Sequence, residues 1–417
     1  MKEMQTQRRL AQRLPSPGGR RIVVLTGARQ TGKTTLARKV YGGLRYLNLD
    51  AVELRELVRN VSTLRWGEEI GAAVLDEAQK EPGVFDKVKY AYDEGTLDFS
   101  VLLGSSRILL LDRVRESLAG RAFVYELWPL MASELASSEG GDPPLMDALL
   151  RDLETFEDKL LQQPPEVVDS QAERARAAIE HLAAWGGMPA LLPLTEEERR
   201  EWLSSYQQTY LERDLADLAT LSDLLPFRAL QRLAMLRTGG LLNYASLARD
   251  AGLSASTARR YVEYLRLTYQ AVLLPPYRSN LASRVVKAPK LHWVDLGLLR
   301  QATRQWGPLT GELFETLVVA EVMKWVSTRA LPVDLSFYRT RSGLEIDLLA
   351  ESGGKVLGFE MKLRRKLSGG EHRSLVRLAD DLGDAWAGGL VVTSGNRIAC
   401  LDAPRRIWAV PAHRLLC

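Results

Sequence analysis

The sequence predicts an α/β chain of several domains, and three features predict it. Over the first 135 residues short apolar runs alternate with helix-like segments, as in a parallel sheet with helices packed on its faces. From Leu130 to about Leu225 the apolar spacing is helical throughout, and from about Lys290 strands and helices alternate again. The 417 residues suffice for two or three domains, and an apolar content of 46% allows sizeable cores. The divisions fall at 1–135, 136–225, 226–289 and 290–417.

The first strand, Ile22-Val23-Val24-Leu25, runs into Gly27-Ala28-Arg29-Gln30-Thr31-Gly32-Lys33-Thr34, and Thr35-Leu36-Ala37-Arg38 opens a helix. Gly, four residues, then Gly-Lys-Thr between a strand and a helix is the spacing of a phosphate-binding loop. Its backbone N–H groups turn inward on an anion, and the helix N-terminus adds positive partial charge. Lys33 is expected at the β- and γ-phosphates and the Thr34 hydroxyl on Mg²⁺. The chain is therefore expected to bind a nucleoside triphosphate.

Residues 45–50 read as the next strand, followed by a charged helix to Val58. Ala72-Ala73-Val74-Leu75 is a short buried strand ending in Asp76-Glu77. Asp76 suits the metal, and Glu77 suits orienting or deprotonating the attacking water. Two solvated acids at a strand end look the same in isolation, but the loop upstream favours the catalytic pair. A helix follows Pro82, and residues 99–104 form a buried strand ending in Gly104-Ser105-Ser106, where ligands gather in a parallel sheet. Ser105 suits γ-phosphate sensing there, or else caps a helix from Ile108 to Leu118. Residues 122–127 are the fifth strand.

The runs GARQTGKTTL, YLNLD, LDEAQK, LLGSS and SLAGRAFVYELWPL, in this order, resemble a family of prokaryotic AAA-type ATPases. In that family the ATPase is fused to a C-terminal domain of restriction-endonuclease type. Trp185-Gly186-Gly187-Met188-Pro189 and Tyr210-Leu211-Glu212-Arg213-Asp214-Leu215 resemble its helical region. The resemblance runs from about residue 20 to the C-terminus. It is interrupted by an acidic segment between loops at 137–144 and 162–165, to which no chemistry attaches. It implies an AAA+ P-loop core with a helical lid, ATP with Mg²⁺ rather than GTP, and a homo-oligomer, such as a ring, in which a neighbour supplies an arginine finger. Arg121 is the first residue for that role and Arg115 the second; a surface Arg121 complementing a helix dipole is the equal alternative. Arg29, inside the loop, faces ligand or neighbour, and Ala28 stands where the family usually has Pro.

From Leu241 to Tyr261 a helix, the turn Ala251-Gly252-Leu253 and a second helix have helix-turn-helix spacing. Ser256, Thr257, Arg259, Arg260 and Arg266 on the second helix suit phosphate and groove contacts. Residues 271–275 and Tyr277 read as a strand opening a wing, with Arg278, Arg284, Lys287 and Lys290 adding base. A winged helix on DNA is the expectation; a helical extension with solvated arginines, or a protein-binding module, would use the same residues.

In the last third, Gly311-Glu312-Leu313-Phe314-Glu315 begins a helix, Glu345-Ile346-Asp347 enters a strand and Phe359-Glu360-Met361-Lys362 ends the next. Alternate residues on a strand share a face, which pairs Glu360 with Lys362. Asp347 and Glu360 are then placed for Mg²⁺, and Lys362 for orienting water or stabilising charge. The set resembles the PD-(D/E)XK nuclease fold, and the Gly-x-x-Phe-Glu helix resembles its archaeal Holliday-junction resolvase branch. That implies Glu315 as a further metal carboxylate; Ile346 stands where the motif has Pro. The basic run Lys362-Leu363-Arg364-Arg365-Lys366 favours a polyanion nearby. A surface ion pair, or an inactive site kept for binding, fits the same residues.

Cys400 and Cys417 make no disulfide framework, which suits a reducing cytosol, and the four histidines form no zinc cluster with them. The polar, basic start carries no signal-like apolar stretch, and no window approaches the roughly 20 apolar residues of a membrane span. A net charge of +4 permits a nucleic-acid partner without demanding one. The expected protein is a cytoplasmic Mg-ATPase that remodels or processes duplex or junction DNA. The competing expectation is an ATP-dependent switch whose nuclease-like domain binds protein partners.

Overall fold

The computed structural model describes residues 6–104, 114, 116–137, 141–218, 224–277 and 288–417, and of 210–218 the backbone only. The first unit holds strands β1 (Arg21–Thr26), β2 (Arg45–Asn48), β3 (Ala73–Asp76), β4 (Phe99–Gly104) and β5 (Ala122–Glu126). They form one parallel sheet in the order β2-β3-β4-β1-β5. Helices α1 (Lys33–Val40), α2 (Val52–Asn60), α3 (Trp66–Glu69) and α4 (Gly83–Asp93) pack on it. Strand β1 reads as an unbroken apolar run because both of its faces are covered. Ile22 and Val24 join Trp66 and Phe85 on one side, while Val23 and Leu25 join Tyr41 and Phe99 on the other.

The middle of the chain is helical: α5 (Ala132–Ala136), α6 (Leu145–Arg151), α7 (Phe156–Leu161), α8 (Ser170–Trp185) and α9 (Glu196–Leu218). After α8 the backbone turns at Gly186, φ 77°, where a Cβ would lie 2.1 Å from Asp295 Oδ1. Asp295 is buried and accepts from the amides of Gly187 at 2.7 Å and Leu298 at 3.0 Å. Only glycine allows that approach.

Next come α10 (Leu225–Leu236), β6 (Gly240–Leu241), α11 (Tyr244–Asp250), α12 (Ala255–Leu267), β7 (Ala271–Leu274) and β8 (Lys290–Trp293). The three strands make a small antiparallel sheet in the order β6-β8-β7. The helix expected from Leu241 starts at Tyr244, because Asn243 caps it by accepting from the Ser246 amide at 2.9 Å. Tyr277 leaves β7 and bonds the Phe337 carbonyl at 2.7 Å, tying this sheet to the next.

The C-terminal unit holds α13 (Leu296–Thr303), α14 (Gly311–Arg329), β9 (Asp334–Arg339), β10 (Glu345–Ser352), β11 (Lys355–Lys362), α15 (Arg373–Leu382), β12 (Trp386–Thr393), β13 (Ala399–Asp402), β14 (Ile407–Pro411) and α16 (Ala412–Leu416). Its mixed sheet runs β13-β14-β12-β11-β10-β9, with β9, β10 and β11 antiparallel and β11, β12 and β14 parallel. From α14 to β12 the order is therefore helix, three strands, helix, strand. One hydrophobic core runs from Met131 to Leu416 and joins the helical middle, the small sheet and this unit. The acidic segment lies in it: Phe156 is fully buried beneath Gly388, and Glu157 accepts from Trp408 Nε1 and Arg406 Nε, each at 2.9 Å. Among the described residues no helix is long and apolar enough to cross a membrane.

Candidate functional site

The turn Gly27–Gly32 joins β1 to α1, and a Cβ on Gly27 (φ 153°) would sit 2.2 Å from the Leu127 carbonyl oxygen. Lys33 is buried, and its ammonium donates to the carbonyls of Gly27 at 2.9 Å and Ala28 at 2.8 Å. Thr31 Oγ1 donates to the Ala28 carbonyl at 2.8 Å, while Gln30 and Thr35 are exposed and Arg29 half-buried. The loop is thus closed on its own lysine, with Thr34 and Thr35 presented at the start of α1.

Thr34 and Asp76 meet as the sequence requires: Thr34 Oγ1 donates to Asp76 Oδ2 at 2.6 Å. One strand, β4, separates β1 from β3, and the pair spans it from α1. Tyr46 on β2 donates to the same oxygen at 2.6 Å, and its phenol is pushed up to about 12 by burial and by that bond to Asp76. A hydroxyl and a carboxylate oxygen in contact are a donor set that suits Mg²⁺ carried by a nucleotide. Glu77 follows at φ 54°, half-buried, and accepts from Gln79 Nε2. A cavity of about 1250 Å³ opens beside the loop, lined by Arg8, Thr31, Gly32, Thr34, Arg38 and Pro189, which is ample for a nucleotide.

Sequence reasoning passed over three residues at this loop. Arg8 donates to the Thr31 carbonyl at 2.6 Å and to that of Trp128, and pairs with buried Glu134 at 3.2 Å. Tyr206 donates to the Arg29 carbonyl at 3.2 Å, and Tyr269 donates to Thr26 Oγ1 at 3.1 Å. Ala28 packs with Trp128, Tyr269 and Val294 in one apolar cluster. None of these contacts has a local motif, since each partner lies more than 20 residues away.

Arg121 stands just before β5, half-buried and paired with Asp93 at 2.6 Å. In the parallel register the loop follows the far end of β1, so Arg121 is a full strand length from its own loop. Ser105, Arg115, Arg278, Arg284 and Lys287 lie outside the described residues. On α12, Ser256, Arg259 and Arg260 are exposed and Thr257 is half-buried; Ser254 caps the helix by accepting from the Thr257 amide at 3.1 Å. Arg259 lies over the Tyr244 ring at 4.7 Å, and Arg266 pairs with Glu263.

The C-terminal carboxylates also converge. Glu315 from α14 and Asp347 and Glu345 from β10 surround Lys290 from β8, while Glu360 on β11 pairs with Lys362 of the same strand at 2.6 Å. Lys290 was read from the sequence as a basic residue of a DNA-facing wing. The structure overturns that, because it is 1% exposed and its charge is spent on Glu315 at 2.9 Å and Glu345 at 2.6 Å. Burial, followed by Asp347, raises Glu315 to about 7 and Glu360 to about 8, and burial raises Asp347. Burial depresses Lys290, but Glu315 and Asp347 outweigh it and the net shift is upward. His292 falls to about 3 through burial and then Lys290. The divalent ion expected on Asp347, Glu360 and Glu315 does not fit this arrangement: an ammonium stands among them, and among the described residues no group of three or more His, Cys, Asp or Glu is placed to hold a metal.

Comparison with known proteins agrees with the first unit. Residues 19–136 match a family model described as an AAA domain; 176–308 and 310–415 match two domains of unknown function, DUF8612 and DUF4143. Uncharacterized proteins of Mycobacterium tuberculosis and Mycobacterium bovis are each 28% identical over 351 residues, spanning 82% of this chain and 70% of theirs. Among solved structures, a Walker-type ATPase of Pyrococcus abyssi is 15% identical with a TM-score of 0.43, covering 67% of this chain and 90% of its own. The ORC2 protein of Aeropyrum pernix in its ADP form is 17% identical with a TM-score of 0.28, covering 64% and 84%. Loop, acidic strand and matched model together define the class of the first unit: residues 19–136 form a P-loop domain of the AAA type.

Proposed function

We propose that the chain is an Mg-ATPase that works on DNA, with a winged-helix unit that grips duplex or junction DNA and a nuclease-like C-terminal unit that holds rather than cuts it. The observation that carries the reading is the bond from Tyr269, at the end of the unit bearing α12, to Thr26 beside the phosphate loop. On this reading, nucleotide-dependent movement of the loop would reach the helix that presents Ser256, Arg259 and Arg260 to solvent. At the loop, Lys33 would leave the Gly27 and Ala28 carbonyls for the phosphates. Thr34 and Asp76 would hold Mg²⁺, which supplies charge neutralisation at the phosphates, and Glu77 would take the proton of the attacking water. The helix, three-strand, helix, strand order of the C-terminal unit and its convergent carboxylates support kinship with PD-(D/E)XK nucleases, while Lys290 among them favours holding over cutting. Arg121, remote from its own loop, would serve a neighbouring copy in a homo-oligomer.

Phosphate release with and without duplex, fork and junction DNA tests this. Stimulation is expected, and Arg259→Glu with Arg260→Glu is expected to abolish it while flattening the salt dependence of binding. Absence of stimulation by every DNA would leave the reading as an ATP-dependent switch for protein partners. Native mass with and without an ATP analogue tests the oligomer.

A further inference from the structure

We propose that Lys290 is the resident cation of the C-terminal acidic centre and keeps that centre closed to divalent metal. The inference rests on the nuclease-like reading of the C-terminal unit. The Lys290 side chain is 2% exposed, and its ammonium lies 2.9 Å from Glu315, 2.6 Å from Glu345 and 3.9 Å from Asp347. One positive charge thus stands on the carboxylates of α14 and β10 that a divalent ion would have to bridge. Lys362 occupies the β11 side in the same way, at 2.6 Å from Glu360 Oε1.

The closure is incomplete. Glu315, Glu345, Asp347 and Glu360 are four carboxylates against three cations, Lys290, Lys362 and the Arg339 that pairs with Glu345 at 3.2 Å, and burying unpaired carboxylate is costly. Glu360 is 6% exposed, and its Oε2 has no hydrogen-bond partner among the described residues. His292, fully buried two residues beyond Lys290 on the same strand face, has an equally unbonded Nε2 that lies 3.9 Å from Glu315. Two unserved ligand atoms, an oxygen and an imidazole nitrogen, therefore remain at a centre already filled by an ammonium.

Lys290 also comes from outside the unit it closes. It opens β8, whose neighbour β7 begins two residues after Tyr269. The closing charge is supplied by the small sheet whose strand β7 follows Tyr269, the residue bonded to Thr26 at the end of β1, so it is a contact between units and not a feature of the C-terminal fold alone.

The test is Mn²⁺ binding to the full chain without nucleotide, in an Asp76→Asn background that removes the other metal position. Calorimetry gives stoichiometry, and thermal denaturation gives a second readout. The parent is expected to bind no Mn²⁺ at micromolar concentrations. Lys290→Gln is expected to gain one site at least tenfold tighter and a Tm that rises with Mn²⁺, both lost on adding Asp347→Asn. Glu345→Gln removes the half-exposed anchor that Lys290 shares with Arg339 and is expected to show a smaller gain, which keeps the test open if Lys290→Gln does not fold. Equal Mn²⁺ binding by parent and variants, lost with Asp347→Asn, overturns the closure but leaves the nuclease-like reading standing. No binding by any variant overturns both.

Discussion

The Tyr269 hydroxyl donates to Thr26 Oγ1 at 3.1 Å, so a residue just past the end of α12 is bonded to the last residue of β1. Tyr269 holds φ 62°, a left-handed conformation that costs a non-glycine residue about 1–2 kcal/mol. Its ring sits edge-on to Trp128, with centroids 5.1 Å apart, in the cluster that covers Ala28. A bulky residue persists there because packing against the phosphate loop outweighs the backbone cost.

Two substitutions separate the bond from the packing. Tyr269→Phe keeps the ring and is expected to cost about 1 kcal/mol in urea unfolding, the value of one buried hydrogen bond. Tyr269→Ala removes the ring and is expected to cost about 3–5 kcal/mol. It should also weaken ATP binding more than Tyr269→Phe does, because Ala28 loses its cover. Equal losses in the two variants would mean that the ring does not brace the loop.

At the loop itself, binding and hydrolysis should part. Lys33→Ala is expected to lose ATP binding, since Lys33 is the cation that the Gly27 and Ala28 carbonyls hold inside the loop. Glu77→Gln is expected to bind ATP normally and to hydrolyse it about 10²–10⁴-fold more slowly, the range for removing a positioned general base. Fluorescent-nucleotide titration and phosphate release check both.

The nucleotide site was legible because its chemistry is local. Gly27 to Thr34 is one turn fixed by its own spacing, and Asp76 ends an apolar strand that can only be buried. The helix from Gly311 and the strands at Glu345 and Phe359 were readable for the same reason, each with its own period. Lys290 was misread because a lysine in a charged stretch resembles a solvated one until three remote carboxylates close on it. Strands β13 and β14 went unread although they are no shorter than β2 and β3, and β8 went unread because its buried polar residues Lys290 and His292 break the apolar signal. The braces from Arg8, Tyr206 and Tyr269 join distant segments through backbone carbonyls and hydroxyls, which leave no pattern in sequence.

Buried histidine sets an acid limit. His413 on α16 is 6% exposed and falls to about 4, through burial first and then the nearby Arg176 and Arg414. A folded value below the unfolded value of about 6.5 means that the unfolded chain binds the proton more tightly. The stability at stake is complete above pH 6.5 and is lost as pH falls through about 4. The raised carboxyls Glu315 and Glu360 act in the opposite sense over an overlapping range, so the comparison needs a variant. Between pH 7 and pH 4.5 the urea midpoint of the wild type is expected to fall further than that of His413→Gln. Parallel curves would show that His413 titrates as if exposed.

The acidic segment that interrupts the ATPase resemblance has a mechanical role that can be measured. Phe156 is fully buried, and a Cβ built on Gly388 of β12 would come 2.1 Å from its ring and 2.8 Å from the Arg406 carbonyl. Neither the ring nor the backbone can yield that much, so Gly388→Ala is expected to destabilise by about 1–3 kcal/mol through overpacking. Phe156→Ala leaves a cavity and is expected to cost about 3–5 kcal/mol. Combining the two should cost less than their sum, because the smaller residue makes room for the new methyl. Glu157→Gln would leave Arg406 without its ion pair at 2.9 Å while keeping an acceptor for Trp408, and should cost less than either. If this segment were a separate insertion without a share in the core, all four variants would melt with the wild type. Coupling between Phe156 and Gly388 would instead make it a strut that fixes the helical middle to the C-terminal sheet.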